Sequence, residues 1–245
     1  MQVEVLDQAE AVERRAAAII AETVNETPHL VLGLPAGRTP VGIYRELVRL
    51  AGAGAVSFKA ATVFVVDEYV GLAPDAPGSF TRFVREHLVD HVDLPPDAFC
   101  APDGAAPDPD AEAARYQARI EAAGGIDLLV LGVGANGHIG FNEPGSTVDS
   151  VTRVVTLDPA TTKAGRDRLS AGAALPTLGI TIGIDTVLTA SAVLLAASGA
   201  AKAEAVRQLT AGEESAEWPV TALTRHPYVS VLLDKAAAGH NFTIG

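Results

Sequence analysis

Three short stretches of this 245-residue chain gather side chains able to do chemistry. One reads Gly132-Val133-Gly134-Ala135-Asn136-Gly137-His138-Ile139-Gly140-Phe141-Asn142-Glu143-Pro144. An imidazole changes charge near neutral pH and suits proton transfer to or from an oxygen. Asn136 and Glu143 lie near enough along the chain to orient the His138 ring or share its proton, and the glycines let backbone approach a ligand closely. A second stretch, Asp67-Glu68-Tyr69, follows directly on the apolar run Thr62–Val66. Two acids at the end of a buried strand pack poorly, so one of them is expected to face a cleft. There a carboxylate near apolar walls can act as a proton-abstracting base. The third stretch, Gly33-Leu34-Pro35-Ala36-Gly37-Arg38-Thr39-Pro40, joins a strand to a helix. Thr39 suits an N-cap and Pro40 the first helical position. The free N–H groups and dipole of such a helix start attract an anion, and Arg38 can add a full charge.

Two decoys need weighing. Gly132–Gly137 spells G-x-G-x-x-G after a strand, and Asp158 lies about 20 residues on, as a dinucleotide fingerprint requires. That fingerprint needs a helix at its third glycine, yet Gly140, Pro144 and Gly145 follow and break one. The third stretch, Gly33–Pro40, lacks the Gly-Lys-Ser/Thr of a triphosphate loop. His87 and His91 have a spacing that can chelate zinc, with Asp90 and Asp93 nearby, but no third histidine or cysteine is placed to complete a site. Neither a nucleotide cofactor nor a metal is expected.

These stretches must be held by regular elements. Helical periodicity covers Asp7–Thr23, with Val12, Ala16, Ile19 and Ile20 on one face. Strands are predicted at His29–Leu34, Thr62–Val66, Ile126–Leu131, Thr152–Leu157, Thr177–Ile182, Ala192–Ala197 and Tyr228–Leu233. Helices are predicted at about 41–50, 79–89, 110–123 and 200–210, with an irregular middle around Asn142–Ser150. Apolar, β-branched strands that alternate with helices imply an α/β fold: a mostly parallel wound sheet in one domain, with helices on both faces. Ligands of such sheets bind beyond the carboxyl ends of the strands, where all three stretches begin.

Composition narrows the partners. Hydrophobic residues make up 48% of the chain, enough for a full core, and the formal net charge is −12. That field disfavours nucleic acid and anionic membrane, so an anionic substrate needs a local basic pocket. Cys100 is the only cysteine, which leaves no internal disulfide. The N-terminus has no basic n-region and no run is long enough to span a membrane, so a cytoplasmic location is expected.

The three stretches together closely resemble the glucosamine-6-phosphate deaminase family. The matching text is LGLPAGRTP (32–40), DEYVGL (67–72) and GVGANGHIGFNEP (132–144), supported by Ser79-Phe80, by GAAK (199–202) and by His226-Pro227. The resemblance spans nearly the whole chain in the right order. It implies a modified Rossmann-like fold without a nucleotide cofactor, acting on a small sugar phosphate in an isomerisation coupled to deamination. It implies that Asp67 moves a proton between C2 and C1, and that His138 opens the sugar ring with Asn136 and Glu143 around it. It further implies that the phosphate sits on the backbone of Gly37, Arg38 and Thr39, with Lys202 as counter-charge. Gly137 would help line the substrate site, as would an arginine, Arg166 or Arg168, of which Arg168 is preferred. Departures carry their own expectations. Asn136 stands where some relatives have aspartate, and Arg38 where small residues are usual. Relatives activated by N-acetylglucosamine 6-phosphate carry a basic pair where this chain has Arg153 and Val155, which implies weak or absent activation. A homo-oligomer stays open. Galactosamine-6-phosphate isomerase and 6-phosphogluconolactonase are the rivals within the fold, and a non-catalytic sugar-phosphate sensor is the rival outside enzymes.

Overall fold

Seven strands pair in parallel in the order β1-β10-β9-β6-β2-β3-β5. They are β1 (Gln2–Leu6), β2 (Val31–Leu34), β3 (Thr62–Val65), β5 (Phe99–Cys100), β6 (Leu128–Leu131), β9 (Ala192–Ala197) and β10 (Val229–Asp234). The computed structural model describes residues 1–164, 166, 169 and 174–239. A second, antiparallel sheet has the order β4-β8-β7, from Asp67–Tyr69, Leu178–Thr181 and Arg153–Thr156.

Alternation along each central strand builds two cores. Leu32, Leu34, Val63, Val65, Leu128, Val130, Leu194 and Ala196 face one side and meet α1 (Ala9–Glu26), α2 (Arg38–Gly52) and α3 (Phe80–His87). Val31, Phe64, Leu129, Leu131, Val193, Leu195, Val231 and Leu233 face the other and meet α4 (Pro109–Ala122), α7 (Ala203–Ala211) and α8 (Lys235–Ala238). Side chains that reverse face at every residue leave both faces apolar, so both need helices. Tyr116 of α4 shows how tightly they dock: its buried hydroxyl donates to the carbonyls of Val65 and Cys100 at 2.7 and 3.1 Å. Burial holds that phenol well above its ordinary pKa.

The winding reverses between β2 and β6. Leu32 and Gly33 pair with Leu128 and Leu129, and from this seam the chain passes outward to β3 on one side and to β9 on the other. Such a reversal opens a crevice at the carboxyl ends of the two strands. Stretches 33–40 and 132–144 are the connections that leave those ends.

Most predicted elements lie within a few residues of the observed ones, and among the differences three concern strands. The segment predicted as a loop from Asp67 starts as strand β4, paired antiparallel with β8 from Asp67–Thr181 to Tyr69–Gly179. Strand β1 was not anticipated, because its alternation is short. Strand β5 is two residues long and leaves no periodicity to read. In the β4 region Gly104 is buried, and a Cβ there would lie 2.2 Å from the Tyr69 carbonyl oxygen and 2.7 Å from that of Leu72. Gly104→Ala is therefore expected to lower stability by about 1–3 kcal/mol, because backbone must move to admit the methyl group. Urea unfolding of the variant beside the parent chain measures the loss.

Candidate active site

The turn after β6 wraps around His138. Gly134 accepts the amide of Gly137 and donates to the carbonyl of His138, which closes a tight loop. A Cβ on Gly134 would fall 2.3 Å from the imidazole, so only glycine lets the ring lie against the backbone there. Gly137 has φ +82°, a left-handed geometry that favours glycine, and its Cα abuts Trp218. Its N–H donates to Gly134 and its carbonyl accepts from Val220, so both backbone groups hold the loop in shape. Trp218 thus packs on the histidine turn itself.

Three side chains interlock at this turn. His138 Nδ1 lies 2.8 Å from Asn136 Oδ1 and 3.4 Å from Glu143 Oε2. Asn136 Nδ2 donates to the same Glu143 oxygen at 2.8 Å, which orients the amide. With its Nδ2 given to the carboxylate, Asn136 presents its oxygen to the ring. Nδ1 therefore carries the proton, and Nε2 is the nitrogen free in a neutral ring to accept one. The other Glu143 oxygen accepts from Thr161 Oγ1 at 2.5 Å. Thr161 lies on α5 (Pro159–Ala164) and was not singled out from the sequence; no local pattern marks a threonine 18 residues downstream as its partner. Burial works to raise the Glu143 pKa, but hydrogen bonds from His138 and Thr161, the nearby imidazole charge and Asn136 outweigh it, and the carboxyl titrates below its usual range.

Asp67 reaches the same place from β4. Strand side chains alternate, so Asp67 and Glu68 must point to opposite faces. Glu68 turns to the start of α3, where it accepts hydrogen bonds from Ser79, Phe80 and Thr81. Asp67 faces the histidine turn: a Cβ on Gly140 would stand 3.6 Å from its Oδ2 and 2.9 Å from Thr181 Oγ1. Thr181 is the β8 partner of Asp67 and accepts the amide of Phe141. Gly140 is two residues from His138, a separation of at most about 7 Å along the chain. Asp67, 5% exposed, and His138 therefore both lie beside the same short turn.

The candidate anion cradle lies in the connection that leaves β2, the strand paired with β6. Gly37, with φ +145°, stands immediately before α2, and Arg38 is the first residue of that helix. The helix starts earlier than predicted, so Arg38 and Thr39 contribute their amides from its first turn rather than from a preceding loop. Lys202 follows β9, in the turn of Ala200–Lys202. Burial, and then the charge of Arg38, hold the Lys202 ammonium below the usual lysine range. Two cations that repel each other beside an uncapped helix start form a local reversal of the protein's negative field. Arg38 also borders a cavity of about 430 Å³ between α2 and α3, lined further by Val41, Ser79 and Phe83. Arg166 is exposed, and Arg168 lies outside the described residues.

The remaining sequence candidates are elsewhere. His87 Nδ1 contacts the Phe83 carbonyl and His91 Nε2 that of Glu86, so the two rings serve different helix carbonyls. Among the described residues no three His, Cys, Asp or Glu side chains gather as a metal site. Arg153 spends its guanidinium on Asn142 Oδ1 at 2.9 Å and Ser146 Oγ at 3.3 Å, which ties β7 to the segment carrying Glu143. No helix among the described residues is long and apolar enough to cross a membrane.

Comparison with known proteins now decides the family. The profile of glucosamine-6-phosphate isomerases/6-phosphogluconolactonase matches residues 6–231. This chain belongs to that family. A glucosamine-6-phosphate deaminase of Bacillus velezensis is 44% identical over 230 residues, 94% of this chain and 95% of its own. Glucosamine-6-phosphate deaminase 1 of Bacillus subtilis is 42% identical over 94% of this chain and 95% of its own. A solved monomeric glucosamine-6-phosphate deaminase superposes with a TM-score of 0.94 at 41% identity, covering 97% of this chain and 99% of its own. The 6-phosphogluconolactonase of Trypanosoma cruzi shares the fold, with a TM-score of 0.80, at only 20% identity over 99% of this chain and 97% of its own.

The depressed Glu143 pKa has a consequence for stability. A carboxyl whose folded pKa lies below its unfolded value stabilises the fold fully above the unfolded pKa, near ~4.3 for glutamate, and loses that contribution as pH falls through the folded value. Urea unfolding is therefore expected to find Glu143→Gln less stable than the parent at pH 7, with the gap closing as pH drops below about 4.

Proposed function

We propose that this protein converts D-glucosamine 6-phosphate and water to D-fructose 6-phosphate and ammonium. One juxtaposition supports the reading: a shielded carboxylate and an oriented imidazole both lie beside the turn after β6, and the candidate anion cradle leaves β2, the strand paired with β6, although all three are far apart in the chain. The amides of Gly37, Arg38 and Thr39 receive the phosphate together with Lys202, with Arg168 as a further counter-charge and Gly137 shaping the sugar site. His138 Nε2 takes the proton of the ring hydroxyl and returns one to O5, which opens the pyranose. Asn136 and Glu143 hold the imidazole in the tautomer that this requires. Asp67 then removes the C2 proton and delivers it to C1 through a cis-enolamine. Water adds at C2, the amine leaves as ammonium, and the ketose remains. We place the reaction in the cytoplasm and without a bound cofactor, since every proton has a side chain to carry it.

An asparagine at 136 suits this scheme. It cannot relay a proton, so proton exchange falls to His138 alone, with Glu143 as the fixed anion that steadies the imidazolium. Arg153 is already engaged inside the protein, which agrees with weak or absent activation by N-acetylglucosamine 6-phosphate.

Ammonia release from glucosamine 6-phosphate tests the reading directly. Galactosamine 6-phosphate as substrate identifies the epimer, and hydrolysis of 6-phosphogluconolactone identifies the hydrolase rival. Asp67→Asn is expected to lower kcat by about 10²–10⁴-fold with the sugar phosphate still bound, the usual span for loss of a general base. Unchanged turnover in that variant removes Asp67 from the chemistry. Lys202→Met makes a separable prediction. A charge-assisted contact contributes about 1.5–3 kcal/mol, so KM should rise by roughly 10–100-fold. Its ammonium is disfavoured in the empty folded site, so the unliganded variant should melt at a higher temperature than the parent chain. Calorimetry without substrate and steady-state kinetics with it measure the two effects.

A further inference from the structure

The buried carboxyl that the proposed chemistry leaves unused is Glu68. It is fully buried, directly beside Asp67 in the chain, and among the described residues no cation partners it. Five neutral donors surround it instead. Oε1 accepts from the amides of Tyr69 at 2.8 Å and Phe80 at 3.0 Å. Oε2 accepts from Ser79 Oγ at 2.7 Å, from the Thr81 amide at 2.9 Å and from Thr81 Oγ1 at 2.7 Å. A carboxylate has about four lone-pair sites, so this one is saturated. Four of its five donors come from the first turn of α3 or its cap, where the helix dipole favours a negative charge.

Ordinary capping does not account for this set. Ser79 already caps α3 by accepting the Arg82 amide. Glu68 adds a link between two different elements: it fastens β4 to the end of α3, from the face opposite Asp67. Sliding β4 by one residue, or tilting it on α3, breaks several of these bonds at once. On the other face Asp67 is registered against Thr181 and lies close to Gly140. Strand β4 is only three residues long, so its own ladder supplies few bonds to resist such motion. The direction of the Asp67 side chain is set by the pleat of a strand that Glu68 holds.

We propose that Glu68 is a positioning residue for the carbon-acid step: its four-donor anchor on the start of α3 fixes the orientation of Asp67 against C2 of the sugar. The proposal rests on the function above and adds a role outside the reacting groups. A displacement of about 1 Å at a reacting atom can cost about 10²-fold in rate, so loosening the anchor should act on kcat. Glu68→Gln keeps the shape but turns an acceptor into a donor that faces the Phe80 or Thr81 amide. Its kcat is expected to fall at least tenfold while KM for glucosamine 6-phosphate stays within about twofold, because the phosphate cradle lies on other elements. The isotope effect with substrate deuterated at C2 should increase, since proton abstraction becomes slower relative to ring opening and product release. A fault that merely loosens the protein would lower stability and leave that isotope effect unchanged. Thr81→Val deletes one of the five bonds, keeps its amide, and should show the same isotope trend at smaller amplitude; it carries the test if Glu68→Gln does not fold. Folded variants with parental kcat and isotope effect overturn the inference alone, whereas a parent chain that releases no ammonia overturns the function and the inference together.

Discussion

Where β2 and β6 pair, Leu32 against Leu128 and Gly33 against Leu129, the chain winds away in both directions, and the crevice above the seam is left uncovered. The anion cradle and the histidine turn are the connections leaving these two strands, so their approach is a property of strand order. The cradle needs a helix start, which α2 supplies after β2. The histidine turn needs room for backbone to lie against a ring, which Gly134 supplies after β6. The Lys202 turn follows β9, the next strand over from β6, and so joins the same rim.

Charge is managed at short range in this rim. The chain is strongly acidic, and a phosphate arriving from solvent meets a repulsive field until it reaches the cradle. Burial, and then the nearby Arg38 charge, lower the Lys202 pKa there, so an anion between the two would be favoured. Across the crevice the balance is reversed. Glu143 keeps its negative charge despite burial because Thr161, Asn136 and His138 all donate toward it. One side gathers cations, and the other places a carboxylate beside an imidazole.

The smaller antiparallel sheet has a different task. It brings Asp67 to the crevice from a strand outside the main sheet and uses strict alternation to give two adjacent acids different duties. Asp67 faces Gly140 and Thr181, and Glu68 faces α3. Precision in such a short strand must come from side-chain anchors, because three residues of ladder cannot provide it.

The sequence by itself determined the alternation of apolar strands and helices, and with it the wound parallel sheet, because strand and helix periodicities are local properties of neighbouring residues. It also marked the Asp67-Glu68 pair, Asn136, His138, Glu143 and Gly37, since acids, glycines and an imidazole at strand ends are poor packing choices whatever the partners, whereas Lys202 was implied only by the family resemblance. Only the tertiary structure decided which of Asp67 and Glu68 faces the crevice, since that depends on pairing with Thr181 and on contact with α3. Thr161 as a partner of Glu143, Trp218 against Gly137 and the reversal at β2 and β6 were equally invisible, as each depends on residues brought together from distant parts of the chain. Local chemistry could nominate the groups; the pairing of strands far apart in sequence set which of them meet and in what orientation.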